Sequence, residues 1–128
     1  MQNVSIKTFR DLVVWQKALD LSVEVYRLSS KLPAHELYGL SSELRKTSRS
    51  IVYNIAEGHK RGSTIEFIRF LKISAGSAAE LESQILLVDR LGYLAKDAVQ
   101  RAANMLFEIE RMLDALIRSL KTRLGTKS

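Results

Sequence analysis

The chain has 128 residues, enough for one domain with its own hydrophobic core. Apolar residues make up 46% and charged residues 27%, a globular composition rather than a disordered one. One proline and six glycines leave little room for a loop-rich β fold, and the absence of cysteine excludes disulfides and thiolate metal sites. The start, Met1 to Ser5, has no apolar run like that of a signal peptide, and no stretch approaches the ~20 apolar residues of a membrane span. A cytoplasmic protein with no membrane partner is therefore expected. The net charge of +6 points to an anionic partner, nucleic acid before a membrane surface.

Residues 1–8 read as an extended lead-in. The first helix is expected over about 9–31, with Thr8 and Asp11 as a short capping box. It carries two apolar stripes at helical spacing. One is Leu12, Trp15, Leu19, Val23 and Tyr26; the other is Val14, Ala18, Leu21, Val25, Leu28 and Leu32. Together they are wider than one core contact needs, so this helix is expected to pack on two sides, in its own bundle and against another subunit. Pro33 disfavours helical geometry at Leu32 and marks the stop.

The second helix is expected over about 36–58, with the stripe Leu37, Leu40, Leu44, Ser48, Ile51, Ile55 and with Gly58 just past its end. His59 to Gly62 form the turn. Ser63 and Glu66 make a capping box for the third helix, about 63–91. Its stripe is Phe67, Phe70/Leu71, Ser74, Ala78, Leu81, Ile85, Val88. Gly76 lies among small residues in mid-helix at a cost of ~1 kcal/mol against alanine, which suggests a close helix–helix approach. Gly92 to Ala95 break the pattern. The fourth helix, about 96–124, presents Val99, Ala102/Ala103, Leu106, Ile109, Leu113, Leu116/Ile117 and Leu120, and the tail from Gly125 to Ser128 is expected to fray. Four helices with short connections predict one all-α domain over 1–128, an up-down-up-down antiparallel four-helix bundle.

That topology turns scattered charge into a pattern. One end gathers Lys7, Arg10, Lys60, Arg61, Arg69, Arg118, Lys121, Arg123 and Lys127 against few acids: Asp11, Glu57, Glu66 and Asp114. The opposite end mixes signs. Arg45, Lys46 and Arg49 form a second cluster in the second helix, where the like charges of Arg45 and Arg49 want an acidic partner. Clustered cations bind phosphate through counterion release. Two bland readings stand beside this: cations at a helix C-terminus complement its dipole, and Lys60 and Arg61 can pair with Glu57. The phosphate-contact candidates are Lys60, Arg61, Lys121 and Arg123, followed by Arg45, Lys46 and Arg49.

Chemistry has little support. His35 and His59 fall at opposite ends, no His/Asp/Glu set has metal-ligand spacing, and no serine–histidine pair or glycine-rich phosphate loop occurs. No metal and no cofactor are expected, and the protein is read as a non-enzyme. Asn54, Glu57, Ser77 and Glu80 are expected to cap, to hydrogen-bond between helices or to fix subunit register, alongside the interface candidates Trp15, Leu19 and Gly76. Tyr53 and Tyr93 fit an interface or rim better than base stacking.

The segments Phe9-Arg10-Asp11-Leu12, Trp15-Gln16-Lys17-Ala18, Leu32-Pro33, Glu36 to Leu40, Ser50 to Gly58, Gly76 to Glu82 and Leu91 to Leu94 resemble the four helix bundle protein family, also called 23S rRNA intervening-sequence or S23-like proteins. The likeness spans roughly residues 9–120, with one departure, Arg45 where that family has glutamine. The resemblance implies a homopentamer, in which five copies at +6 carry +30 in total. It further implies one of two settings. One is a basic nucleic-acid-binding scaffold (RNA or DNA) similar to the accessory variability determinants of diversity-generating retroelements, with a reverse transcriptase as partner. The other is a protein encoded in a 23S rRNA insertion, acting as a protein–protein assembly module without specific nucleic-acid binding.

Overall fold

The computed structural model describes residues 5–125. Four helices run α1 (Val13–Ser29), α2 (Leu40–Lys60), α3 (Thr64–Arg90) and α4 (Lys96–Arg123), with no strand among the described residues. Each helix packs on its sequence neighbours and α4 closes back on α1. The result is an antiparallel four-helix bundle in which α1 and α3, and α2 and α4, sit diagonally apart. The expected stripes supply the core. Val14, Ala18, Leu21, Val25 and Leu28 of α1 meet Leu44, Ile51 and Ile55 of α2, Leu71, Ala78, Leu81 and Val88 of α3, and Leu106, Ile109 and Leu113 of α4.

The α2/α3 contact is the most extensive, and small polar side chains lie within it. Ser74 donates to the Ile51 carbonyl at 2.8 Å, Ser50 and Ser77 share a 2.8 Å hydrogen bond, and Gln84 donates to Thr47 Oγ1 at 2.9 Å. Ser74 and Ala78 are fully buried, so small side chains do bring α3 close to its neighbours. The α1/α4 edge is thinner and is clipped by Lys17–Glu108 at 3.2 Å and Arg101–Glu24 at 3.7 Å.

Several boundaries move. Phe9–Asp11 is a separate 3₁₀ turn, and α1 begins at Val13 and ends at Ser29, two residues short of the expected stop. Ala34–Glu36 is a second 3₁₀ turn and α2 begins only at Leu40, so Leu37, expected in the α2 stripe, is left 49% exposed. The sharpest correction concerns Gly58. It is not a helix terminator: α2 continues to Lys60, and Gly58 is buried inside it. A Cβ there would lie 2.6 Å from Phe70 Cβ, so the missing side chain is what lets α3 approach. The positive φ of the turn falls to Gly62, at +85°. Gly76 is corrected in the opposite direction. Nothing lies within 4 Å of a Cβ built on it, so no close approach within the subunit accounts for this glycine. The lead-in residues 1–4, the tail residues 126–128 and the cation expected at Lys127 lie outside the described residues.

Candidate nucleic-acid interface

The end of the bundle holding the α2–α3 turn is built from four segments. At the chain start, Thr8 and Asp11 form the capping box of the 3₁₀ turn. The backbone N–H groups of Lys7 and Thr8 donate to Asp11 Oδ2 at 2.8 and 3.1 Å. Those two hydrogen bonds hold the Asp11 carboxyl below its ordinary range. Phe9 packs edge-on against Trp15, centroids 5.1 Å apart, and anchors this segment to α1.

At the turn, Arg61 pairs with Glu57 at 2.9 Å and lies over the Phe70 ring at 4.9 Å. Ser63 accepts from the Glu66 N–H at 3.1 Å and starts α3. Glu66 takes two hydrogen bonds from Arg69, both 3.0 Å, while Arg69 lies 4.5 Å from the same Phe70 ring. The Arg69 fork lowers the Glu66 carboxyl pKa, and Glu66 raises that of Arg69. His59 stacks edge-on against Phe67 at 5.5 Å.

The fourth segment is the end of α4. Arg123 joins Ile6, Leu12, Phe67 and Leu120 around a cleft of about 450 Å³ that opens at this end. Lys121 sits beside Lys72 of α3, whose charge pulls the Lys121 pKa down. Lys72 is a residue that the sequence reading missed. The signal was the antiparallel register of α3 and α4, which sets residue 72 level with residue 121.

Some of the charge at this end is used and some is free. The nearby acids are occupied: Asp11 by backbone N–H groups, Glu57 by Arg61 and Glu66 by Arg69. Lys7, Arg10, Lys60, Lys72, Arg118, Lys121 and Arg123 make no ion pair among the described residues. Of the leading candidates, Lys60, Lys121 and Arg123 keep free cations at this end, and Arg61 is half engaged by Glu57. Asp114, counted among the acids of this end, instead faces Glu110 further along α4.

The second cluster is elsewhere. Arg45 donates to Ser29 Oγ at 2.6 Å and lies 5.1 Å from the Tyr26 ring, and Arg49 donates to the Tyr26 hydroxyl at 2.6 Å. Both line the α1/α2 side, and Lys60 lies eleven positions beyond Arg49 in α2, roughly 17 Å of helix. Lys46 is exposed nearby. Among the interface candidates, Trp15 is half-buried against the core, while Leu19 and Tyr53 line a groove between α1 and α2. Asn54 donates to the Ser50 carbonyl at 2.8 Å, Ser77 bonds Ser50 across to α2, and Gly76 and Glu80 are exposed on α3. His35 and Tyr93 lie at the far end, where the Tyr93 hydroxyl donates to Glu36 at 3.0 Å. That carboxylate, with burial, raises the Tyr93 pKa. No helix among the described residues is long and apolar enough to cross a membrane.

Comparison with known proteins agrees with this architecture. A crystal structure of a protein of unknown function from the S23 ribosomal protein family of Bacteroides thetaiotaomicron VPI-5482 superposes with a TM-score of 0.78 at 27% identity. The match covers 85% of this chain and 98% of that one. No curated protein matches. The family model for the 23S rRNA-intervening sequence protein matches residues 10–115. With the bundle, its connections and most of its length accounted for, the chain belongs to the 23S rRNA-intervening sequence protein family.

Proposed function

We propose that this protein is a non-enzymatic scaffold that binds nucleic acid, RNA or DNA, as a homo-oligomer. The observation that carries the reading is the basic end. Its acids are taken up by local partners, while Lys60, Lys72, Lys121 and Arg123, on three helices that converge there, make no ion pair among the described residues. Cations that no neighbour neutralises are available to release counterions from a phosphate backbone. An oligomer repeats the patch and so enlarges the field an anion meets. The pentamer and a reverse-transcriptase partner are carried by the family resemblance alone.

A second reading, a protein–protein assembly module, is favoured by the exposed apolar side chains Tyr53, Leu86 and Phe107. The two part company in one experiment. Purified protein is titrated with a structured RNA and with a DNA duplex across a salt series. The scaffold reading expects affinity that falls steeply with salt, with a slope that reports the phosphates contacted. It also expects Lys60→Glu/Arg61→Glu to weaken binding to both ligands. Absence of binding at low salt leaves the assembly module.

A further inference from the structure

Two grooves on opposite sides of the bundle carry opposite, unanswered charge. The α1/α2 groove is floored by Leu19, Val23 and Tyr53, which remain 41%, 46% and 60% exposed. Its cations, Arg45 and Arg49, are held only by the neutral groups of Ser29 and Tyr26. With Lys46 they make no ion pair among the described residues.

The α3/α4 groove is the inverse. Leu86 and Phe107 stand 55% and 59% exposed along it, and Glu82 and Glu110 line it from the two helices. Asp114 follows Glu110 one turn on. None of these carboxylates has a cationic partner among the described residues. Burial first, then Glu82 and Asp114, push the Glu110 carboxyl up to about 7.

Both grooves thus have an apolar floor, and each carries the charge that the other lacks. In the cyclic order α1–α2–α3–α4 the two lie on opposite sides, so one subunit cannot join them, nor can a two-fold contact that sets like patch on like patch. We infer that copies of this chain join head-to-tail, the α3/α4 groove of one seated on the α1/α2 groove of the next. Phe107 enters among Leu19, Val23 and Tyr53, and the Glu82–Glu110 pair faces Arg49. The inference rests on the oligomeric part of the proposed function. It adds which surfaces meet, and a repeating contact of this kind closes into a ring when its rotation permits. It also makes assembly respond to pH. In the free subunit the charged groups among the described residues that shift Glu110 are Glu82 and Asp114, both acidic; against Arg45, Lys46 and Arg49 of the next copy it ionises. Assembly then releases a proton, so association strengthens as pH rises towards 7 and levels off above it.

The test is sedimentation of the full chain as wild type, Arg49→Glu, Glu110→Lys and the double variant, with circular dichroism to check folding. Each single reversal sets like charges together and is expected to weaken association about tenfold or more. The double variant restores opposite charges at every head-to-tail contact and is expected to recover most of that loss. Phe107→Asp, at an exposed position outside the core, is expected to dissociate the oligomer without unfolding the subunit. A wild type that assembles while the singles and Phe107→Asp assemble equally well overturns the pairing but leaves the oligomer. Singles that dissociate with no recovery in the double variant also overturn it. A wild type that stays monomeric overturns both.

Discussion

Gly58 and Gly76 are both mid-helix glycines, and only their surroundings separate them. At Gly58 an added methyl gains about 1 kcal/mol of helix propensity but meets Phe70 Cβ, which moves only with the α3 backbone, and overpacking of that kind costs about 1–3 kcal/mol. Gly58→Ala is therefore expected to lower stability in urea titration. Gly76→Ala meets open space in the subunit and is expected to raise stability by about 1 kcal/mol. A loss there instead would mean that another surface covers that face of α3. Ser63 is the third residue with a defined duty. Its hydroxyl accepts from the Glu66 N–H, and Ser63→Ala is expected to cost about 1 kcal/mol in the same measurement.

Between elements, the α2/α3 seam holds one buried polar side-chain atom, Gln84 Oε1, without a partner among the described residues. Gln84 donates to Thr47, yet its Oε1 is buried with no hydrogen bond. Replacing both residues with apolar ones of similar shape, Gln84→Leu with Thr47→Val, removes that orphan together with the pair. The double variant is expected to be at least as stable as wild type, with a gain of about 1–3 kcal/mol if packing is retained. The α3/α4 groove has its own signature. Glu110 binds its proton more tightly in the fold, about 7, than at its ordinary value of 4.5. The folded state therefore holds more protons between those values, and the stability of the dissociated subunit is expected to fall as pH rises across that window. Melting temperature followed from pH 4.5 to 8, at concentrations too low for assembly, checks the sign. Glu110→Gln should flatten the slope.

On the scale of the whole molecule, the bundle sorts cations that the sequence scatters. If the basic end is the phosphate contact, Lys72→Glu should weaken nucleic-acid binding about as much as Lys121→Glu, and each removed contact should lower the salt slope by about one. Most of the fold was legible because helical periodicity is local. The α4 stripe matches the observed core, that of α3 does so except for Phe67, which is only partly buried, and for the buried Ile68 and Gln84, which it left out, and the Ser63 cap is written within four residues. The inner stripe of α1 was also legible and is buried, while Leu19, Val23 and Tyr26 of the other stripe stay exposed on the subunit. What failed depended on neighbours far along the chain. Gly58 next to a turn reads as a terminator, and only Phe70 across the seam shows it to be a packing glycine. Leu37 fits the α2 period but precedes the helix. Local spacing alone thus determined four amphipathic helices and their order, because each of these is a property of residues within a few positions of one another; the basic end followed only once the up-down-up-down topology was added. Tertiary structure decided which cations remain unpaired, that Lys72 stands beside Lys121, and that the Arg45/Arg49 cluster faces away from the basic end. Pairing, burial and exposure are set by side chains brought together from different helices, and those meetings exist only once the bundle closes.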